Sequence, residues 1–270
     1  MKHPKPLILA VETSSRIGSV ALALGPELLG AETFSASLRH SAEIFPTIGI
    51  LLDRFGYAAT DVGQVHIGLG PGSFTGLRIA VTVAKSMHLA NSVAIVTVNS
   101  LDTIAANVKD AETAPAIQNG SADRATVRRL ATILDAKRGQ FYVAVYERAA
   151  DSDEPNGTGP ADTCGYRIPA SETAHWRKTL DDCLMSTSAF LDRFGEESEP
   201  LDLVGDGLVY HREAFEAPGV RILDESCWSP HARQVHRLGY QKAERGQFAD
   251  PLSVAPLYLR GPQVTLRKSR

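Results

Sequence analysis

Only three cysteines occur in 270 residues, Cys164, Cys183 and Cys227, an odd count with no CxxC pair. That excludes a disulfide framework and fits a reducing compartment, so a cytoplasmic location is expected. Long apolar runs are missing too. Leu7–Val11 stops at Glu12, which is too short for a signal-peptide core or a membrane span. Positive charge is not in excess: 28 Lys and Arg stand against 31 Asp and Glu, a net charge of −3. Domains that bind nucleic acid on their own are usually basic, so any RNA contact is expected to be local or shared with a partner. Aromatics make up 7%, hydrophobic residues 43% and charged residues 22%. These values are close to globular averages and exclude both wholesale disorder and a fibre. At about 150 residues per domain the length gives one large domain or two small ones.

What is present is an orderly first third. Leu7–Val11, Gly18–Leu24 and Leu28–Phe34 read as three strands, the second stopped by Gly25-Pro26. Ser41 is placed to cap a helix whose apolar positions Ile44, Phe45, Ile48, Leu51, Leu52 and Phe55 fall at helical spacing, with Pro46 one turn inside. A strand over Val65–Leu69 leads through Gly70-Pro71-Gly72 into a helix from about Phe74 to Ala90. Val93–Val98 is a further strand, and a helix starts near Ser100. Residues 107–128 are polar and aperiodic, an inserted loop, and residues 151–163 have the composition of disorder. Between and after them come a hairpin of Leu130–Leu134 and Phe141–Tyr146, a helical pattern from Ser171 to Phe194, a strand at Leu201–Val204 and a helix from near His231.

The two halves echo each other. Leu9-Ala10-Val11-Glu12, a turn and Ser19-Val20-Ala21-Leu22 are matched by Ile133-Leu134-Asp135, a turn and Tyr142-Val143-Ala144-Val145. This suggests two related lobes, residues 1–106 and 107–249, with 250–270 rejoining the first.

The segment with most character is Gly68-Leu69-Gly70-Pro71-Gly72-Ser73-Phe74-Thr75-Gly76-Leu77-Arg78. A strand, a glycine turn and a helix in that order present backbone N–H groups to an anion. Yet no Gly-Lys-Ser/Thr follows, the glycine spacing misses GxGxxG, and Pro71 stands where a nucleophile elbow needs glycine. The alternative is packing: Gly76, Ala80 and Ala84 lie four apart on one helix face and admit a close neighbour. Glu12, Thr13 and Ser14, then Asp135, then Gly205, Asp206 and Gly207 each follow a strand. Each set fits either the edge of a nucleotide phosphate site or a polar turn. The eight histidines form neither HxxxH nor HExxH, and His231 and His236 do not share a helix face, so no protein-built metal site is expected.

Together the stretches LAVETS and GSVAL, Arg39-His40-Ser41, GPGSFTGLRIAVTVAKSMHLA, Asn99-Ser100-Leu101-Asp102, Asp135-Ala136-Lys137-Arg138, Gly205-Asp206-Gly207 and Pro256-Leu257-Tyr258-Leu259-Arg260 resemble the TsaB (YeaZ) family. They occur in the family's order over nearly the whole chain. The resemblance implies an α/β fold of the ASKHA class (actin, sugar kinase, Hsp70), with two lobes each on a βββαβα core. It also implies work in the complex that transfers a threonylcarbamoyl group to adenosine 37 of tRNAs reading codons that start with A. The partners implied are the paralogous transferase TsaD, the ATPase TsaE, tRNA only within the complex, and a second copy when isolated.

The transferase type carries paired histidines after the strand that follows the glycine block. Here that place reads Val98-Asn99-Ser100-Leu101-Asp102-Thr103-Ile104, so a non-catalytic subunit is implied, with Glu12 where much of the family has Asp. No cofactor of its own is expected, with ATP or ADP and magnesium at most at the partner interface. The docking face is expected on the two early helices, over Arg39, His40, Ser41, Ile44, Phe45, Ile48, Gly72, Phe74, Thr75, Arg78, Ala80 and Ala84. A charge at Ala84 is expected to break both assemblies and spare the fold. The rival readings are an ATP-dependent enzyme with Glu12 and Asp135 around magnesium, and a glycoprotease-like peptidase. The basic tail, Arg260, Arg267, Lys268 and Arg270, reads either as a tRNA contact or as a frayed, solvated end.

Overall fold

The computed structural model describes residues 5–34, 40–108, 127–148, 176–196 and 199–260. The inserted segment 151–163, most of 107–128, Arg39, Cys164 and the tail beyond Arg260 lie outside them.

The first lobe starts with β1 (Leu7–Glu12), β2 (Ser19–Leu24) and β3 (Glu27–Thr33), followed by α1 (His40–Phe55), β4 (Val62–Gly70), α2 (Phe74–Asn91), β5 (Ala94–Asn99) and α3 (Ser100–Ala105). The second continues with β6 (Arg129–Asp135), β7 (Gln140–Arg148), β8 (Trp176–Ser186), α4 (Thr187–Phe194), β9 (Leu201–Val204), a one-turn α5 (Leu208–His211), β10 (Val220–Ile222) and α6 (Ala232–Glu244). The strands make two five-stranded sheets, ordered β3-β2-β1-β4-β5 and β8-β7-β6-β9-β10. The second order repeats the first strand for strand. In each sheet the first three strands are antiparallel and the last two join in parallel. The echo of β1–β2 in β6–β7 is therefore a repeat of topology, and the fold is the two-lobed α/β class.

Large and small side chains alternate along β1 and β2, and this sorts two helical layers. Leu9, Val11, Val20 and Leu22 face α1 and α2 in one core cluster. Ala10 and Ala21 face Ala232 and Val235 of α6 in another. Small residues on that side let α6 lie close; a side chain at Gly239 of α6 would run into the His66 ring of β4.

The lobes exchange their last helices. Leu101, Ile104 and Ala105 of α3 sit in the second core, beside Leu130 and Ile133 of β6. α6, although it follows β10, packs on β1, β2, β4 and β5. A boundary at 106, with 107–249 as one lobe, is corrected at both ends: α3 covers the second sheet and α6 the first. Within the described part of the C-terminal segment, Val254 joins the first core and Leu257 N–H donates to Leu69 O at 2.8 Å, just after Ala249 bridges Ile95.

Two local expectations also change. Ser41 lies inside α1, which begins at His40. Residues 176–186, read as part of a helix, form the strand β8, and only Thr187–Phe194 is helical. Leu180 and Leu184 are four apart and mimic helical spacing. Exposed and half-buried residues nevertheless alternate from Trp176 to Asp181, as pairing with β7 requires. Among the described residues no helix is long and apolar enough to cross a membrane.

The seam under α6 is sensitive to acid. His66 and His236 are buried and stacked, with ring centroids 6.2 Å apart. His236 Nε2 faces the Gly25 carbonyl at 2.8 Å, and His66 Nε2 faces Gln64 Oε1 at 3.0 Å. Burial, reinforced by the neighbouring His236, drops the His66 pKa to about 3, and burial lowers that of His236 as well. The folded state thus refuses protons that the unfolded chain accepts below about pH 6.5, and stability falls as pH drops from there towards 3. Lowering the pH from about 7 to about 5 is expected to remove about 2 kcal/mol through His66 alone. Urea unfolding at the two pH values checks this, and an unchanged midpoint would refute it.

Candidate functional site

The glycine block docks β4 and α2 against the turn after β1. Ser73 N–H donates to Ser14 O at 2.7 Å, and Ser73 Oγ caps α2 by accepting from Gly76 N–H at 3.3 Å. Thr13 Oγ1 donates to Gly76 O at 2.8 Å. A Cβ on Gly76 would collide with the Thr13 carbonyl oxygen, and one on Gly72 with that of Ser14. The close neighbour that Gly76 admits is this backbone. Gly205 does the same for the second lobe, where a side chain would strike the Ile133 backbone of β6.

Between the lobes lies a cleft of about 560 Å³. Its walls are the turns at Ser14–Arg16 and Gly72–Thr75 on one side and the β6–β7 hairpin with Asp206 and Tyr210 on the other, with Tyr258 and Arg260 also lining it. The cleft joins distant parts of the chain. Asp206 accepts from Arg16 N–H at 3.2 Å and Arg16 Nε at 3.3 Å, and Arg16 Nη1 donates to Tyr210 Oη at 2.8 Å. Arg260 Nη1 donates to Ala136 O at 2.8 Å. Arg16 and Tyr210 had no signal in the sequence, because 194 residues separate them.

The expected nucleotide-edge residues divide. Asp135 and Asp206 line the cleft, but Asp135 is held by Lys137 Nζ at 2.6 Å and Asp206 by Arg16. Glu12 is fully buried and turned back onto Ser14 N–H at 2.5 Å. Burial pushes its carboxyl above the ordinary range, so it is no ready ligand. Thr13 and Gly205 hold backbone together, and Gly207 packs close to Phe141 and Ile133. Such a donor set does not fit a magnesium nucleotide, and among the described residues no three His, Cys, Asp or Glu cluster to hold a metal.

The stretch after β5 is also closed. Ser100 and Ile104 are fully buried, and Asn99 Oδ1 caps α3 by accepting from Leu101 N–H at 2.8 Å. Beside it Lys178 of β8 bridges Asp102 at 2.8 Å and Asp182 at 2.6 Å. This network is invisible in the sequence, since reading β8 as helix hides which face Lys178 occupies.

The second feature is the outer face of α1 and α2. An almost wholly apolar notch of about 250 Å³ runs between them, lined by Ser41, Ile44, Phe45, Thr75, Arg78 and Thr82 among others. Phe45 is 62% and Phe74 44% exposed. Arg78 lies over the Phe74 ring at 3.9 Å and its Nε donates to Tyr258 Oη at 3.1 Å. Of the expected docking residues, Ser41, Ile44, Phe45, Thr75 and Arg78 line this notch, and Phe74 is exposed beneath Arg78 at the start of α2. The structure places the others elsewhere: Ile48, Ala80 and Ala84 belong to the lobe's own core, which Ile44 also joins at the floor of the notch, and Gly72 packs on Ser14. His40 is buried with Nε2 3.0 Å from Ser15 O. Helical spacing marks the apolar stripe, and the sheet beneath takes it first.

Residues 34–158 match the family model of TsaD, tRNA N6-adenosine threonylcarbamoyltransferase. The tRNA threonylcarbamoyladenosine biosynthesis protein TsaB of Haemophilus influenzae is 30% identical over 261 residues, 97% of this chain and 96% of that one. The TsaB of Bacillus subtilis is 30% identical over 140 residues, 52% of this chain and 55% of that one. The solved structure of YeaZ from Pseudomonas aeruginosa has the same fold, with a TM-score of 0.67 and 21% identity over 94% of this chain and all of that one.

Proposed function

The chain belongs to the TsaB family of tRNA threonylcarbamoyladenosine biosynthesis proteins, and from that premise we propose that it is the non-catalytic subunit that binds and organises a TsaD-type transferase. The observation that carries this is exposed Phe45 in the wall of an open apolar notch between α1 and α2, with Arg78 of the same wall lying over the exposed Phe74 ring. Isolated apolar residues on a surface are ordinary, but an exposed aromatic in the wall of an apolar groove is what an interface buries. A partner with the same fold offers the equivalent helices, and the same face pairs with a second copy when that partner is absent. A TsaE-type ATPase and tRNA join through this assembly. The sealed Glu12, the ion-paired Asp135 and Asp206 and the buried Ser100 and Ile104 support a subunit without chemistry of its own. An adenine nucleotide with magnesium, where one takes part, belongs to the junction with the partner.

Tagged chain and the transferase from the same cell test the reading by co-purification and calorimetry. Phe45→Asp is expected to weaken binding about thirtyfold or more with an unchanged melting temperature. Full binding by this variant would place the interface elsewhere, and threonylcarbamoyladenosine made by this chain alone would end the non-catalytic reading.

A further inference from the structure

The interlobe cleft carries a charge that the docking role does not use. Four cationic side chains line it, Arg16, Lys137, Arg138 and Arg260, against two carboxylates, Asp135 and Asp206. Both carboxylates are engaged, by Lys137 and Arg16. The groups that Arg260 meets there are the neutral carbonyls of Ala136 and Lys137. An acidic protein of net charge −3 thus concentrates positive charge in the cleft between its lobes. The start of α2, at Ser73–Thr75, forms part of the wall and adds the positive end of a helix of 18 residues.

The hairpin that supplies two of the cations is built at a conformational cost. Lys137 and Arg138 have φ of 65° and 60°, the left-handed region that glycine and asparagine enter far more easily. Within the turn Lys137 Nζ reaches Asp135 at 2.6 Å, and both basic side chains line the cleft. A volume of about 560 Å³ is in the range of small-ligand sites.

We infer that the cleft binds a phosphate group directly, without a divalent cation, between the Lys137-Arg138 turn, Arg260 and the start of α2. This reverses the logic of a magnesium nucleotide site: the carboxylates that would hold the metal are buried or paired, and fixed cations stand in its place. The phosphate belongs either to a free nucleotide or to an RNA strand, and both present the same anion to these side chains. The inference is independent of the helical docking face.

Calorimetry on the full chain tests it, with pyrophosphate, ADP and a short single-stranded RNA, each in EDTA and then with magnesium. At least one of the three is expected to bind in EDTA, with no gain from magnesium; which one binds identifies the source of the phosphate. The double variant Lys137→Gly, Arg138→Asn removes both charges and installs residues suited to φ > 0. It is expected to lose about tenfold or more in affinity, as two charge-assisted hydrogen bonds imply, while melting no lower than the parent. No binding by any probe, binding only with magnesium, or full affinity in the double variant would each overturn the inference.

Discussion

Thr82→Arg is expected to leave the protein folded and to abolish docking on the transferase, whereas Ala84→Arg is expected to unfold the first lobe. The two positions are two residues apart on α2 and face opposite environments. Thr82 is exposed and lines the notch beside Phe45. An arginine there costs the monomer little, within about 0.5 kcal/mol, because its stem lies along the helix and its charge stays in water. In the proposed complex the same charge would be pressed into an apolar contact. Ala84 is 0% exposed within the first core. An arginine there must displace neighbours and bury an unpaired charge, at about 4 kcal/mol or more. Thermal melting and co-purification of the two variants separate the outcomes. A folded Ala84→Arg protein, or an undiminished complex with Thr82→Arg, would show that the faces of α2 are assigned the wrong way round.

Gly76→Ala is the second large effect, and its cause is backbone against backbone. The new methyl meets the Thr13 carbonyl oxygen, which no rotamer change can move. Either α2 or the turn after β1 must retreat, breaking the Thr13 Oγ1–Gly76 O bond and loosening the Ser73 cap. Together the displacement, the hydrogen bond and the cap put the loss at about 4 kcal/mol. Gly49→Ala is the control. It lies inside α1 with no atom within 4 Å of the added carbon, and alanine there is expected to stabilise by about 0.5–1 kcal/mol. Urea midpoints of the two variants give the comparison. A Gly76→Ala protein within about 1 kcal/mol of the parent would mean that the glycine block does not set the distance between β1 and α2.

Much of the fold was legible because its signals are local. β1, β2, β4, β5 and β9 are short apolar runs bounded by turn residues, and α1 and α2 carry helical spacing over many residues. β8 was misread because it is an edge strand with a mixed surface, in which Leu180 and Leu184 imitate a helix while Lys178 and Asp182 face a polar network. The candidate sites were less legible. An apolar residue at helical spacing is marked equally by a protein core and by a partner, so Ile44 and Phe45 look alike until the sheet takes one and leaves the other exposed.

By itself the sequence determined the family, the repeated strand–turn–strand plan and the absence of paired histidines after β5, because each is written in adjacent residues. Only the tertiary structure decided that Glu12 is sealed away, that α3 and α6 change places between the lobes, that Arg16 reaches Asp206 and Tyr210, and that the cleft is lined by cations. These depend on contacts across as many as 213 residues, and chain spacing carries no information about which distant surfaces meet.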